Sequence, residues 1–234
     1  FQAIAGAGLA GTYMPGLKAL TDRVCGPLQS RFIAFYTSTF GIGASVSLLL
    51  AGVLEPALDW QWAFMLCGAG PLAAGLLVLR ALAPVAPVAP VAPAASMTPQ
   101  RHDPAPAPLL DPRPVLSNRA VLGYVLGYAA HCWELFGLRS WLVAFIAFAY
   151  ALSPHADIPW GPAAAAAAIN LLGIPASILG NEIAARVGRR RYIVTVMACS
   201  AVLAWAAGFS APVAWWLTLL LLSLHFVAVM GDSA

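Results

Sequence analysis

The sequence predicts an all-α integral membrane protein built as a bundle of long helices. Hydrophobic residues make up 61% of the 234 residues and charged residues only 9%, whereas soluble domains carry about 25% charged residues. Several apolar stretches reach the roughly 20 residues that a helix needs to cross a bilayer. The basic residues between these stretches fall on one side of the membrane. The weak net charge of +3 therefore gives no indication of nucleic-acid binding.

Seven apolar stretches are expected to form the membrane-spanning helices. The fourth is unusually long, and the first begins at Phe1 without an initiator methionine or a signal peptide. We therefore expect the chain to be a fragment whose start is missing. In chain order the stretches cover residues 1–17, 33–54, 62–79, 120–152, 163–180, 193–209 and 211–231.

The basic residues give the predicted helices their orientation, because positive charge accumulates in cytoplasmic loops. With seven alternating spans, eleven of the twelve basic residues fall on one face, which we take as cytoplasmic. The loops of the other face carry only the acids Glu55, Asp59 and Asp157. The eleven are Lys18, Arg23, Arg31, Arg80, Arg101, Arg113, Arg119, Arg186, Arg189, Arg190 and Arg191.

A proline-rich segment divides the chain into two helical parts. Residues 84–114 hold ten of the 19 prolines, in repeats such as PVAPVAPVAP. Such a composition favours polyproline II, which forms a semi-stiff, solvated spacer. We therefore predict the end of an N-terminal bundle over residues 1–82 and a cytoplasmic linker over 83–118. The start of a C-terminal bundle follows over 119–234.

The fourth stretch carries ionisable residues in the middle of an apolar sequence, GYAAHCWELFGLRSWLVAFIAF. At about 100° per residue, His131, Glu134 and Arg139 occupy one arc of a helix, together with Tyr124 and Tyr128. An ionised side chain at the bilayer centre costs about 2.5–3.5 kcal/mol on insertion scales. This stripe is therefore expected to face a water-filled vestibule and not lipid.

Two interpretations of this stripe remain open. In the functional one, Glu134 carries a proton or cation, His131 is its partner, and Arg139 anchors a substrate or a charge. In the other, the same residues form a buried polar network that only holds helices together. Asn170 and His225 could line the same cavity, although each could equally make a helix–helix hydrogen bond.

The loop GNEIAARVGRRRY, residues 180–192, resembles a loop motif of the major facilitator superfamily. Arg186 and Gly188 match its basic and glycine positions. The opening glycine of the motif falls on Asn181 and its acidic position on Ala185, which leaves Glu182 as the only acid of the loop. Its gating role is one interpretation, and a positive-inside anchor is the other. The remaining basic positions are matched by Arg189, Arg190 and Arg191.

The resemblance extends over nearly the whole chain. Trp60, Trp62 and Phe64 match a typical entry to the family's sixth helix, and the proline-rich segment takes the place of its central cytoplasmic loop. The seven spans then correspond to roughly helices four to ten of an expected twelve. The resemblance implies a secondary transporter that moves a small solute by alternating access, with the missing helices of the same chain and the lipid bilayer as partners. Coupling to protons, as a symporter or an antiporter, would use Glu134 and His131.

Other functions are disfavoured by motifs that the sequence lacks. HCWEL at His131 has Leu135 where a membrane metalloprotease needs a second histidine, and no G-x-S-x-G motif occurs. We predict no enzyme activity, no cofactor, no metal and no nucleic-acid partner. A non-transporting scaffold or receptor-like protein remains the alternative. The expected location is the membrane, more specifically a bacterial inner (plasma) membrane.

Overall fold

The computed structural model describes residues 2–24, 26, 28–81, 113–153 and 157–231, and every regular element within them is a helix. The predicted all-α class is therefore confirmed. The helices, in chain order, are α1 (Gln2–Thr21), α2 (Gln29–Leu58), α3 (Trp60–Ala81), α4 (Arg113–Ser117), α5 (Arg119–Ala151), α6 (Pro162–Leu171), α7 (Gly173–Val187), α8 (Arg189–Ser210) and α9 (Trp215–Gly231).

Each of the seven predicted stretches coincides for most of its length with a helix or a helix pair, although the last begins four residues before α9. Among the described residues, five segments are long and apolar enough to cross a membrane: α2, α3, α5, the α6–α7 segment Pro162–Val187, and α8. Helix α9 is apolar but has only 17 residues, and α1 is not one of the five. Most of the predicted linker lies outside the described residues, and only its end appears, as the five-residue helix α4.

The fifth span is broken into α6 and α7 by its own sequence. Pro175 has no backbone N–H, so the carbonyl four residues earlier, that of Leu171, loses its helical partner. The chain tightens there, with the Leu172 N–H donating to the Ile169 carbonyl at 3.1 Å. The helix then resumes, and the Ala176 N–H donates to the Leu172 carbonyl at 3.2 Å. The two helices therefore form one interrupted span.

The described chain divides into two compact units. The first comprises Phe1–Phe64 and His131–Ala234, and the second comprises Met65–Ala130. In the first unit, α2 packs against α6 and α7, while α9 packs against α7 and α8. Its buried core includes Leu142, Ile146, Ile169, Leu222 and Phe226.

The second unit contains most of α3, the short α4 and the beginning of α5. Its large apolar side chains are exposed, for example Leu72 at 77% and Leu79 at 82%. Apolar surface of this extent marks a surface that contacts lipid or further protein. It is therefore consistent with a membrane environment.

The contact between α2 and α6 depends on small residues. The Ser45 hydroxyl donates to the Ala167 carbonyl at 3.0 Å, which joins the two helices directly. A Cβ added at Gly52 would meet the Ala163 methyl at 2.7 Å, and one added at Gly41 would meet the Asn170 carbonyl at 3.2 Å. Small side chains allow membrane helices to approach this closely, where packing and hydrogen bonds drive association.

Candidate functional site

The ionisable residues of α5 lie in the first unit, on the side of the helix that faces α2 and α9. His131 is 9% exposed, and the Glu134 side chain is 21% exposed. Further along α5, Leu142 and Ile146 are buried in the core of the same unit. This part of α5 is therefore packed against the core of the first unit.

Glu134 faces His225 across the gap between α5 and α9. The distance from Glu134 Oε1 to His225 Nδ1 is 3.8 Å, and the imidazole is only 5% exposed. This separation exceeds hydrogen-bonding distance. A small rotamer change or one intervening water would connect the two groups. The backbone of Ser200 on α8 also interacts with the imidazole, so three helices converge on this pair.

Arg139 lies among apolar side chains between α2 and α9. Its guanidinium carbon is 4.3 Å from the centre of the Phe40 ring and 5.6 Å from that of Phe226. Its Nη2 approaches the Met230 sulfur at 3.8 Å. The guanidinium is thus stabilised by two aromatic faces, an arrangement worth roughly 0.5–2 kcal/mol for each ring.

The other residues predicted for this site are placed differently. Asn170 is buried on α6, where its amide nitrogen donates to the Ala166 carbonyl at 2.9 Å, and no described contact joins it to Glu134. Tyr128 belongs to the second unit and is 59% exposed. His225, by contrast, is brought directly against Glu134.

A cavity of about 220 Å³ opens between α1 and α2. Its wall shares Phe40 with the Arg139 environment, and its residue Tyr13 lies close enough to Cys132 for an electrostatic interaction. Glu134 and His131 are not part of its lining, so a water-filled vestibule beside them stays a prediction. The lining consists of Thr12, Tyr13, Tyr36, Thr39 and Phe40.

A second polar site joins α2 to α7 at the end assigned to the cytoplasm. Arg31 binds Glu182 through two bonds, Nε to Oε1 at 2.7 Å and Nη2 to Oε2 at 3.1 Å. Beside it, the Asn181 amide donates to the Ser30 hydroxyl at 3.2 Å. Planar, two-bonded pairs of this kind fix the relative position of two helices. A second cavity of about 250 Å³ is lined by Arg31, Asn181 and Glu182, together with Ala34, Phe35 and Ile178.

Sequence reasoning identified Asn181 and Glu182 but not their partners on α2. Arg31 was interpreted only as one of many cytoplasmic charges, and Ser30 was not singled out. The two pairs join residues 151 positions apart. No spacing within the sequence indicates such a pairing.

The rest of the loop motif forms the junction between α7 and α8. Gly188 has a φ of 96°, in a region that favours glycine, and it ends α7. Arg189, Arg190 and Arg191 form the first turn of α8 and are exposed. The N-terminal end of a helix dipole does not favour cations. The dipole of α8 therefore does not account for these three arginines, and both interpretations of the loop motif stay predictions.

The described residues contain no group of three or more histidine, cysteine or acidic side chains that could hold a metal ion. Searches of curated proteins and of solved structures found no match. The family model described as Major Facilitator Superfamily matches residues 1–233, which is nearly the whole chain. Together with the apolar helices, this match shows that the chain belongs to the major facilitator superfamily of membrane transporters.

Proposed function

We propose that this protein is a secondary active transporter that moves a small solute by alternating access and is coupled to protons. The observation that supports the coupling is the pair formed by the partly buried Glu134 and the buried His225, 3.8 Å apart on two different helices. Titratable groups inside a membrane span are rare and usually belong to ion or proton pathways. The direction of the solute flux relative to the proton flux distinguishes symport from antiport.

One proton changes the charge of this site. With Glu134 ionised, Arg139 charged and both histidines neutral, the net charge is zero. A proton added to Glu134 or to His225 makes the site positive. In a low-dielectric interior, a change of one unit of charge alters the electrostatic energy strongly. Here the charge changes on the side chains through which α5 contacts α9. Protonation is thereby linked to the packing of one helix against the other.

The contacts between α2 and α7 would act as the cytoplasmic gate. By the family resemblance, α2 belongs to the N-terminal bundle and α7 to the C-terminal bundle, and the two bundles rock against each other about a central site. The Arg31–Glu182 and Ser30–Asn181 pairs hold their cytoplasmic ends together. Opening towards the cytoplasm would break both pairs. The proposed location is the inner (plasma) membrane of a bacterium.

The test of proton coupling is the variant Glu134→Gln in the full-length protein. Gln keeps the shape of the side chain but cannot carry a proton. In proteoliposomes, we expect flux driven by a pH gradient to fall by about tenfold or more, while exchange at equal pH persists. A tenfold loss corresponds to about 1.4 kcal/mol. Asp157→Asn, on an exposed loop, should leave the flux unchanged.

Two results would contradict the proposal. Unchanged pH-driven flux in Glu134→Gln would remove this pair from the coupling pathway. Absence of any solute flux, in a protein that is folded and correctly inserted, would favour the scaffold or receptor alternative. His225→Gln serves as a second variant, since it removes the other proton acceptor and leaves Glu134 in place.

A further inference from the structure

Arg139 is a cation whose contacts are all neutral. In the described part of the chain it touches two phenyl rings and one thioether, and no carboxylate lies within ion-pair distance. Its Nε is buried and makes no hydrogen bond. Lys18 and Arg31, by comparison, each bind an acid, Asp22 and Glu182. A half-buried guanidinium with free donors therefore lacks an anion.

The depth of Arg139 limits what that anion can be. With a rise of 1.5 Å per residue, it lies about 18 Å from the end of α5 at Ala151 and about 30 Å from the start at Arg119. Lipid headgroups lie at the edges of a hydrocarbon core about 30 Å thick. Since α5 is longer than this core, the orientation of Arg139 decides the question, and its guanidinium lies over the rings of Phe40 on α2 and Phe226 on α9. We therefore expect an anion to reach it from between the helices, through the transport pathway.

The lining of the cavity beside Phe40 indicates which groups the rest of the anion would contact. The hydroxyl groups of Thr12, Thr39 and Tyr36 already donate to backbone carbonyls, of Gly8, Tyr36 and Tyr13 respectively. The oxygens of Tyr36 and Thr39 can still accept hydrogen bonds. The cavity thus presents acceptors to a ligand, and a solute that carries hydroxyl or amino donors satisfies them.

We propose that the transported solute is a small organic anion that also carries hydroxyl or amino groups, such as a hydroxycarboxylate or an amino acid. Its acidic group pairs with Arg139, and its donors meet the oxygens of Tyr36 and Thr39. The cavity volume of about 220 Å³ is below the roughly 300–1,000 Å³ of drug-sized sites, so the solute is small. This inference rests on the proposed transport function, whose proton-coupling step it leaves unchanged.

Matched probes separate the two parts of this recognition. Glycerate carries the acid and the hydroxyls, glyceramide keeps the hydroxyls without the charge, and propionate keeps the charge without the hydroxyls. Binding is measured as a shift in the melting temperature of the purified protein, and transport as exchange in proteoliposomes at equal pH. We expect glycerate or serine to bind, and glyceramide and propionate to bind more weakly.

Arg139→Gln should weaken binding of the anion by about 30-fold or more, because truncating one partner of a buried charge pair typically costs 2 kcal/mol or more. Arg139→Lys keeps the charge without the planar fork and should lose less. Arg80→Gln, which removes an exposed cation, is the control. If Arg139→Gln does not fold, Thr39→Val and Arg139→Lys still test the two halves of the proposal.

Three results would overturn the inference. One is equal binding of glycerate and glyceramide, and another is unchanged anion binding in Arg139→Gln. The third is a shift in melting temperature with phosphatidylglycerol in lipid nanodiscs and no shift with soluble anions. That result would make Arg139 a lipid-binding residue. In each case solute flux can persist, so the transport function is judged separately. Flux of a neutral solute that does not depend on Arg139 would support the transport function. It would contradict the proposal that the solute is an anion.

Discussion

Gly180 shows how one residue sets the distance between two helices. A Cβ added there would collide with the backbone carbonyl of Gly231 on α9 and would lie 2.8 Å from the Tyr192 hydroxyl on α8. A backbone carbonyl cannot move aside as a flexible side chain can. Three helices of the first unit therefore meet at a point where no side chain fits.

We expect Gly180→Ala to destabilise the protein by about 1–3 kcal/mol, the usual cost of overpacking a filled interior. The measurement is the melting temperature in detergent. Gly208→Ala is the matched control, since a Cβ there meets nothing within 4 Å and alanine is the better helix former. An equal effect of the two substitutions would show that the α7–α9 contact is looser than the structure has it.

At the scale of single residues, the sequence predicted which side chains share a helix face more readily than it predicted which residues they contact. The stripe of His131, Glu134 and Arg139 could be predicted because helical periodicity fixes the face that a residue occupies. The ring of Phe40 against Arg139 could not, since nothing in an apolar stretch distinguishes one phenylalanine from another. The same holds for the hydroxyls of the α1–α2 cavity.

At the scale of elements, the helices were predictable because apolar length and flanking charge determine them. The 33-residue length of α5 and the interrupted fifth span both follow from local sequence, the latter from Pro175. Which helices pack together could not be predicted. The contact between α2 and α7 joins segments about 150 residues apart in the chain, and the pairs Arg31–Glu182 and Ser30–Asn181 connect them.

The pair of Arg31 and Glu182 gives a prediction about two elements. Reversing one charge, in Arg31→Glu, places two carboxylates together and should favour separation of the α2 and α7 ends. The double reversal Arg31→Glu with Glu182→Arg restores attraction and should recover both transport and melting temperature. Both groups are partly exposed, so the effect should weaken with added salt.

The control for this pair is Arg186→Glu, which reverses an exposed cation on α7 that interacts with Glu182 through its charge but makes no described hydrogen bond or ion pair with it. It should change transport less than Arg31→Glu does. Failure of the double reversal to recover activity, with each single variant inactive, would mean that Arg31 and Glu182 act independently. The gate would then be assigned to other contacts.

At the scale of the whole molecule, the order of spans and the one-sided arginines predicted the family, and the match over residues 1–233 confirms it. Family membership is a property of the entire pattern, so it survives departures at single motif positions such as Asn181. The solute and the coupling ion depend on a few side chains that meet in space. They are therefore the parts that sequence alone defines least.

Alternating access itself can be tested by fixing α2 to α7. We expect the pair Ser30→Cys and Asn181→Cys, in a protein without its native cysteines, to stop transport when linked by a short bifunctional methanethiosulfonate reagent. The native side chains are 3.2 Å apart, and reduction of the link should restore transport.

The matched control is Ser210→Cys with Thr218→Cys, which lie 2.8 Å apart on α8 and on α9. By the family resemblance these two helices move as one bundle, so linking them should leave transport intact. Transport that continues across a completed α2–α7 link would show that these helices do not separate in the cycle, and the rocking of two bundles would be wrong for this protein.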